Sequence, residues 1–477
     1  MRLPARLVTS FIILTVSSFL CTSCSDNFRN IFRNHGSLKA ETWLEVEKNE
    51  TIKICFDAKV SAWETSLDTE MLGESCLKVR MPMLIGVSTI NVKFTDSDSY
   101  HKINLAVGMK YLDFKNEETL YGNDLCQTFN EDTKIVSVTG TYLVDEYPVT
   151  NCEITQLMWD EIPQNPKDHQ IEKEWSERKK SSIRNEKCNA HDSAANMMSL
   201  YMAMKYANAR SIREGLKPYY TFSATKHRSI IMIKPKSGEY DDTIINPRYQ
   251  YVANHYQEQR KGPMHQYVIK SYDFSNHEGK NILVSVDSTS DGYRLPYYDE
   301  WMMLARGGEK ESMTPWCNNS AKIKDVTKYA RFAKYKENVK TEPVGQLRSN
   351  GYGLYDVLGL VEEFVLFEEH NWLRPNSNPL FITILEDRRE EPIECHPYNC
   401  PYCLKKGKDC PSCLKGGALF HDWKRINYSF RSEDRNTDYS GGFRLIRNIG
   451  NNAQWSKCNY HKKLKNSRPT KNNLFQK

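Results

Sequence analysis

The sequence predicts an α+β fold with few regular elements, preceded by a small β-rich region. Three observations carry this reading. Between residues 38 and 130 short runs alternate apolar and polar residues with period two, most cleanly at Ile90, Val92 and Phe94. Helical spacing of apolar residues is confined to a few stretches, of which the one around Trp301 is the best defined. Gly and Pro close segments at short intervals, as in Arg294-Leu295-Pro296 and Arg306-Gly307-Gly308. A chain of 477 residues with 39% hydrophobic residues can bury a core and has room for two or three domains.

The first 24 residues read as a signal peptide rather than as fold. Arg2 and Arg6 form a charged start, and Leu7 to Leu20 form an apolar run too short to span a bilayer. The run ends in Leu20-Cys21-Thr22-Ser23-Cys24, which resembles a bacterial lipoprotein cleavage box with Cys24 as the lipidated residue. Plain secretion after signal cleavage is the alternative. Either way export is expected, to the cell envelope or outer membrane as a lipoprotein, or as a soluble periplasmic or secreted protein. Residues 25–37 read as a linker.

The net charge of +6 misleads about partners. Residues 451–477 hold seven Lys or Arg and no Asp or Glu, so the rest of the chain carries about −1. A nucleic-acid partner is therefore not expected. The tail, 448–477, reads as a basic flexible end able at most to touch an anionic surface weakly.

In chain order, 38–133 forms the β-rich region, with strands expected at Thr51–Phe56, Val87–Phe94 and Ile103–Val107. It is either a separate β module or the irregular start of the main domain. Ile135–Val138 and Tyr142–Asp145 continue as strand, and Thr150 is placed to cap a helix through Ile154, Leu157 and Met158. A second helix is expected over Ser193–Glu214, its Met-rich face (Met197, Met198, Met204) turned to the core, with Gly215 as its stop. Residues 223–290 form an insertion rich in Tyr, His and Arg, read either as a binding surface or as additional surface strands. Pro296 then suits a helix first turn, Asp299 and Glu300 favour its positive end, and Gly307-Gly308 end it.

Several blocks are more specific than these patterns. They are Tyr147-Pro148-Val149-Thr150-Asn151, Glu214-Gly215-Leu216-Lys217-Pro218-Tyr219-Tyr220 and Gly292-Tyr293-Arg294-Leu295-Pro296 leading to Glu300-Trp301 and Ala305-Arg306-Gly307-Gly308. Further on come Pro343-Val344-Gly345, Asn350-Gly351-Tyr352-Gly353-Leu354-Tyr355-Asp356-Val357-Leu358-Gly359 and Gly441-Gly442-Phe443-Arg444. In this order and spacing, over 134–447, they resemble the formylglycine-generating enzyme family, the sulfatase-modifying factor domains. The resemblance implies a compact fold related to C-type lectins.

What the resemblance implies for chemistry divides sharply. The family's oxidases bind Cu(I) through two cysteine thiolates placed after an Arg-Gly-Gly landmark, here Lys415-Gly416-Gly417. The matching positions hold His421 and Ile426. No copper and no formylglycine-generating activity are expected. A calcium loop carries over onto the Asp356 and Glu363 carboxylates and the Gly359 and Val361 carbonyls, although Leu360, Glu362 and Phe364 replace the usual Asn and two Trp. The other reading of that turn pairs Glu363 with an arginine.

Twelve cysteines remain after Cys21 and Cys24, enough for complete pairing in an oxidising compartment. In the Cys-rich loop 395–413, Cys400, Cys403, Cys410 and Cys413 form two C-P-x-C knuckles. They would suit structural Zn²⁺ or two disulfides, with redox use of a C-x-x-C as a third reading. The function expected is an exported, lipid-anchored, non-catalytic domain binding a protein or glycan. Its rivals are a divergent metal enzyme using the Cys-rich loop or His421, and an envelope spacer.

Overall fold

The computed structural model describes residues 28–31, 42–121, 134–166, 170–184, 192–224, 228–232, 264–270, 273–274, 281–287, 289–307, 327–332, 341–366, 382–386, 412–421, 426, 431–432, 440–450 and 454–455. These fall into two compact units. One comprises Met1–Pro82, Val87–Val107 and Asn452–Lys477, the other Met83–Gly86 and Gly108–Asn451.

The first unit is built from β1 (Phe28–Ile31), β2 (Thr42–Val46), β3 (Thr51–Phe56), β4 (Val60–Glu64), β5 (Thr69–Leu72), β6 (Cys76–Arg80), β7 (Gly86–Phe94) and β8 (Tyr100–Val107). Four strands form one sheet in the order β1-β3-β6-β5. The other sheet runs β2-β8-β7-β4 and is closed at β2 by the two-residue strand Gln454–Trp455. Alternation decides which face is buried: Ile52 and Ile54 from β3, Leu77 and Val79 from β6, Ile90 and Val92 from β7, and Ile103 and Leu105 from β8 share one core. Cys55 lies opposite Cys76 in the β3–β6 register, and the two form a disulfide.

Two expectations change at the ends of this unit. Residues 25–37 are not merely a linker, because Phe28–Ile31 adds to β3 as a parallel edge strand. The tail expected from 448 begins inside structure, with residues up to Asn448 in a strand and Gln454–Trp455 paired to β2. Unpaired strand edges recruit such segments, because each added residue satisfies backbone N–H and C=O groups.

The second unit contains β9 (Met109–Tyr121), β10 (Lys134–Asp145), β11 (Tyr220–Ala224), β12 (Arg228–Met232), β13 (Met264–Lys270) and β14 (Asn281–Asp287). It continues with β15 (Glu362–Leu366), β16 (Ile382–Glu386), β17 (Ser412–Lys415), β18 (Arg431–Ser432), β19 (Gly441–Gly442) and β20 (Ile446–Asn448). Its helices are α1 (Asn151–Leu157), α2 (Gln170–Arg184), α3 (Leu200–Arg213) and α4 (Tyr298–Arg306). The long antiparallel pair β9–β10, with a bulge between Val138 and Gly140, carries this unit back to Gly108, upstream of the start at 134 read from the motif blocks. Within the 223–290 insertion, β13 and β14 join β11 in a three-stranded sheet, and β12 pairs with β16.

Helix ends follow their capping chemistry. Thr150 caps α1 as expected, and Glu153 returns the favour by accepting from the Thr150 N–H at 2.9 Å. The helix expected from Ser193 starts only at Leu200, because the Ser199 hydroxyl accepts from the Met202 N–H and caps it there. Upstream, Met197 is left-handed (φ 59°), and Ser193 and Ala194 bridge to Pro343 and Thr150 instead. Pro296 precedes α4 rather than opening it; the Glu300 carboxylate accepts from the Tyr297 N–H at 2.8 Å and sets the start. Gly307 ends α4 in the left-handed region, as expected. The main core gathers Trp301, Met302 and Ala305 of α4 with Leu112, Tyr142 and Val144 of the β9–β10 pair and Val365 of β15.

Candidate functional site

The residues that carry family chemistry converge on β15, its neighbours β17 and β19, and the loop around Arg444. Glu362 and Glu363 are consecutive on β15 and therefore face opposite sides of the sheet. Both are fully buried, so each needs a partner.

Glu363 finds its partners on the α4 side. Its Oε2 accepts from Trp301 Nε1–H at 2.8 Å, and Arg444 Nε donates at 2.8 and 2.9 Å to its two oxygens. Arg444 Nη2 lies 2.7 Å from Oε1. The same guanidinium donates to the backbone carbonyls of Asp145 at 3.1 Å and Tyr355 at 2.8 Å, so Arg444 ties β10, the 345–360 loop and β15 together. Across the β15–β17 ladder, Lys415 stands opposite Glu363; its Nζ donates to the Tyr298 hydroxyl at 2.9 Å and sits over the Tyr298 and Trp301 rings.

Glu362 turns to the other side. The Ser440 hydroxyl donates to its Oε2 at 2.7 Å, and His421 Nδ1 lies 3.9 Å from its Oε1. His421 Nδ1 accepts from the Ala418 N–H at 3.0 Å, so the neutral ring carries its proton on Nε2. Ile426 is 2% exposed and packs in the core around Trp301. The two copper positions therefore hold an imidazole committed to a turn and a buried aliphatic side chain. Neither is the soft sulfur ligand that Cu(I) chemistry needs, and copper does not fit.

Calcium does not fit the carried-over set either. Asp356 is left-handed (φ 51°), and its Oδ2 accepts from the Gly345 N–H at 2.6 Å. Burial pushes its carboxyl up to about 6, opposed by the Gly345 hydrogen bond. Glu363 is the correction. A carboxylate offers about four lone-pair directions, and Arg444 and Trp301 take those of Glu363. Without it, Asp356 and the Gly359 and Val361 carbonyls supply too few oxygens for an ion that takes about 6–8. Among the described residues no group of three or more His, Cys, Asp or Glu could hold a metal.

Cys24, Cys400, Cys403 and Cys410 lie outside the described residues, and Cys413 falls in β17 opposite Val365. The Gly-Tyr-Arg-Leu-Pro block proves architectural. Arg294 pairs with the Glu300 carboxylate through two 2.7 Å hydrogen bonds, and its backbone bridges to Ile446. Tyr293 is buried under the Arg210 guanidinium, which is itself paired with Asp145 at 2.8 Å. Sequence reading missed the Asp145–Arg210 pair and the Glu362–Ser440 contact. A buried position for Arg210 was legible in helix spacing from Met202 and Tyr206, but its partner was not.

The sulfatase-modifying factor enzyme 1-like domain matches residues 112–449, well over half of the chain. The chain belongs to this family. A partial relative is the chaperone protein LppX of Paenibacillus barcinonensis, 28% identical over 176 residues, covering 34% of this chain and 48% of that protein. The match thus spans about half the length of that relative. Among solved structures, the Treponema denticola variable protein 1 is 18% identical with a TM-score of 0.39, over 80% of this chain and 99% of its own. PvdO from Pseudomonas aeruginosa is 13% identical with a TM-score of 0.37, over 72% and 94%.

Proposed function

We propose that this protein is an exported, lipid-anchored, non-catalytic member of the family that binds a protein or glycan at the cell envelope. The observation that carries the reading is the pair of residues at the copper positions, His421 in a turn and Ile426 in the core, in a chain that matches the family over residues 112–449. Ile426 cannot be replaced by a ligand through a change of rotamer, so the loss is built into packing rather than into a missing ion. Export is supported by the Cys55–Cys76 disulfide between register partners and by the disulfide-bonded state of Cys152, both suited to an oxidising compartment. Anchoring is supported by the apolar run ending in Ser23-Cys24. The partial likeness to a chaperone protein is in keeping with a protein ligand.

Two measurements test this reading. Purified protein supplied with Cu(I), oxygen and a cysteine-containing peptide should yield no aldehyde product, and aldehyde formation would overturn the non-catalytic assignment. Cells given a radiolabelled lipid precursor should label the wild-type chain and not Cys24→Ala; persistent labelling of the variant rules out the anchor at Cys24.

A further inference from the structure

The Cys55–Cys76 disulfide takes no part in the core of the first unit. Ile52, Ile54 and Phe56 of β3 and Leu77 and Val79 of β6 belong to the apolar cluster inside the sandwich, and neither cysteine does. Alternation therefore puts Cys55 and Cys76, directly opposite each other in the register, on the outward face of the sheet with Lys53 and Lys78. The two sulfurs are not equally accessible there. Cys55 is only 9% exposed, whereas Cys76 is partly exposed beside Leu72 of β5, its register partner on that side.

The strands do not depend on this bond to stay paired. On one side of it the β3–β6 register continues from Ile54 and Leu77 to Thr51 and Arg80, and the Met81 N–H donates to the Glu50 carbonyl at 2.7 Å. On the other side the Phe56 N–H donates to the Ser75 carbonyl at 2.9 Å, and the Val60 N–H to the Glu74 carbonyl at 2.8 Å. Opening the disulfide removes a cross-link but leaves these hydrogen bonds and the apolar cluster their partners.

We propose that Cys55–Cys76 is a site of thiol–disulfide exchange on the folded protein, opened by a dithiol that attacks Cys76. The proposal is independent of the anchor and of the envelope ligand. Exchange takes two displacements. A thiolate of the dithiol attacks Cys76 Sγ, a new S–S bond forms there, the Cys55–Cys76 bond breaks, and its electron pair leaves on Cys55. The second sulfur of the dithiol, as thiolate, then displaces Cys76 and departs in a cyclic disulfide. The dithiol has given up two electrons and two protons, which the two cysteines now hold as thiols. Access selects Cys76 as the sulfur attacked, because the nucleophile must reach it from solvent.

The test uses dithiothreitol as the dithiol and the full-length protein in native buffer. Reaction is quenched with iodoacetamide, and the Cys55 and Cys76 peptides are quantified by mass spectrometry. The expected rate rises in proportion to dithiothreitol and changes by less than about twofold between zero and about 1 M urea. Reduction that must await unfolding would instead accelerate by about fivefold or more over that interval, and this result overturns the proposal. Singly substituted chains locate the attack. The Cys76 thiol in Cys55→Ser should be alkylated severalfold faster than the Cys55 thiol in Cys76→Ser, each followed by peptide mapping. Equal rates, or a faster Cys55, overturn Cys76 as the sulfur attacked. The urea series on the wild-type chain needs neither variant to fold.

Discussion

Replacing Arg444 by alanine strips the buried Glu363 carboxylate of its charge partner and leaves the Asp145 and Tyr355 carbonyls without their donor. Breaking a buried pair from one side costs about 3–5 kcal/mol, so Arg444→Ala should lower the urea midpoint strongly at unchanged slope. A loss within 1 kcal/mol of wild type would mean that Glu363 is not paired as described. Asp356 predicts a pH dependence of definite sign. Its folded pKa, about 6, stands above the ordinary 3.8, so the folded state holds the extra proton between those values. Stability therefore falls as pH rises from about 4 to about 6 and is flat above, a change of about 3 kcal/mol for two pKa units. Asp145, pushed up to about 6 by burial against the pull of Arg210, acts in the same direction. Asp356→Asn should consequently remove part of that slope, measured by urea melts across the range, and an unchanged slope would contradict the assignment.

At the scale of elements, the turn into β15 depends on Gly359. Its φ is +78°, and a Cβ there would stand 2.4 Å from the Arg331 carbonyl oxygen and 2.9 Å from the Arg331 nitrogen. Backbone offers no rotamer by which to yield, so Gly359→Ala should cost about 3 kcal/mol or more, read as a lowered thermal midpoint. The elements also show what local chemistry can and cannot foretell. α1 was legible because Thr150 and Glu153 form a capping box within four residues. The start of α3 was misplaced because Ala194, Met197 and Met198 match helical spacing, whereas bridges to Thr150 and Pro343 hold that segment extended. α2 was not anticipated: it is polar over most of its surface, and Ile171 and Trp175, which bury it, make a weak apolar stripe.

For the whole molecule, the cross-link between Cys55 and Cys76 spans 21 residues and stabilises the first unit by about 3 kcal/mol in the loop-entropy account. Dithiothreitol should accordingly lower the unfolding transition of that unit. An unmoved transition in demonstrably reduced protein would show that sheet packing alone suffices. The second unit, by contrast, should be indifferent to calcium. With Glu363 held by Arg444, a calcium chelator should leave its thermal midpoint where it was, and a drop of several degrees on chelation, restored by added calcium, would reinstate the calcium loop.

The family, its order of blocks, the cap of α1 and the substitutions at 421 and 426 were all determined by sequence, because each depends on residue type and spacing along the chain. What only the tertiary structure decided is which charges meet. Glu363 read equally well as a calcium ligand or as an ion-pair partner, and the choice fell to Arg444, 81 residues away, when β15 and the Phe443-Arg444 segment between β19 and β20 were brought together. The same holds for Asp145 and Arg210, 65 residues apart, and for the entry of Phe28 beside β3. The physical reason is that a buried carboxylate is satisfied by whichever donor the fold delivers to it, and delivery is a property of packing rather than of motif.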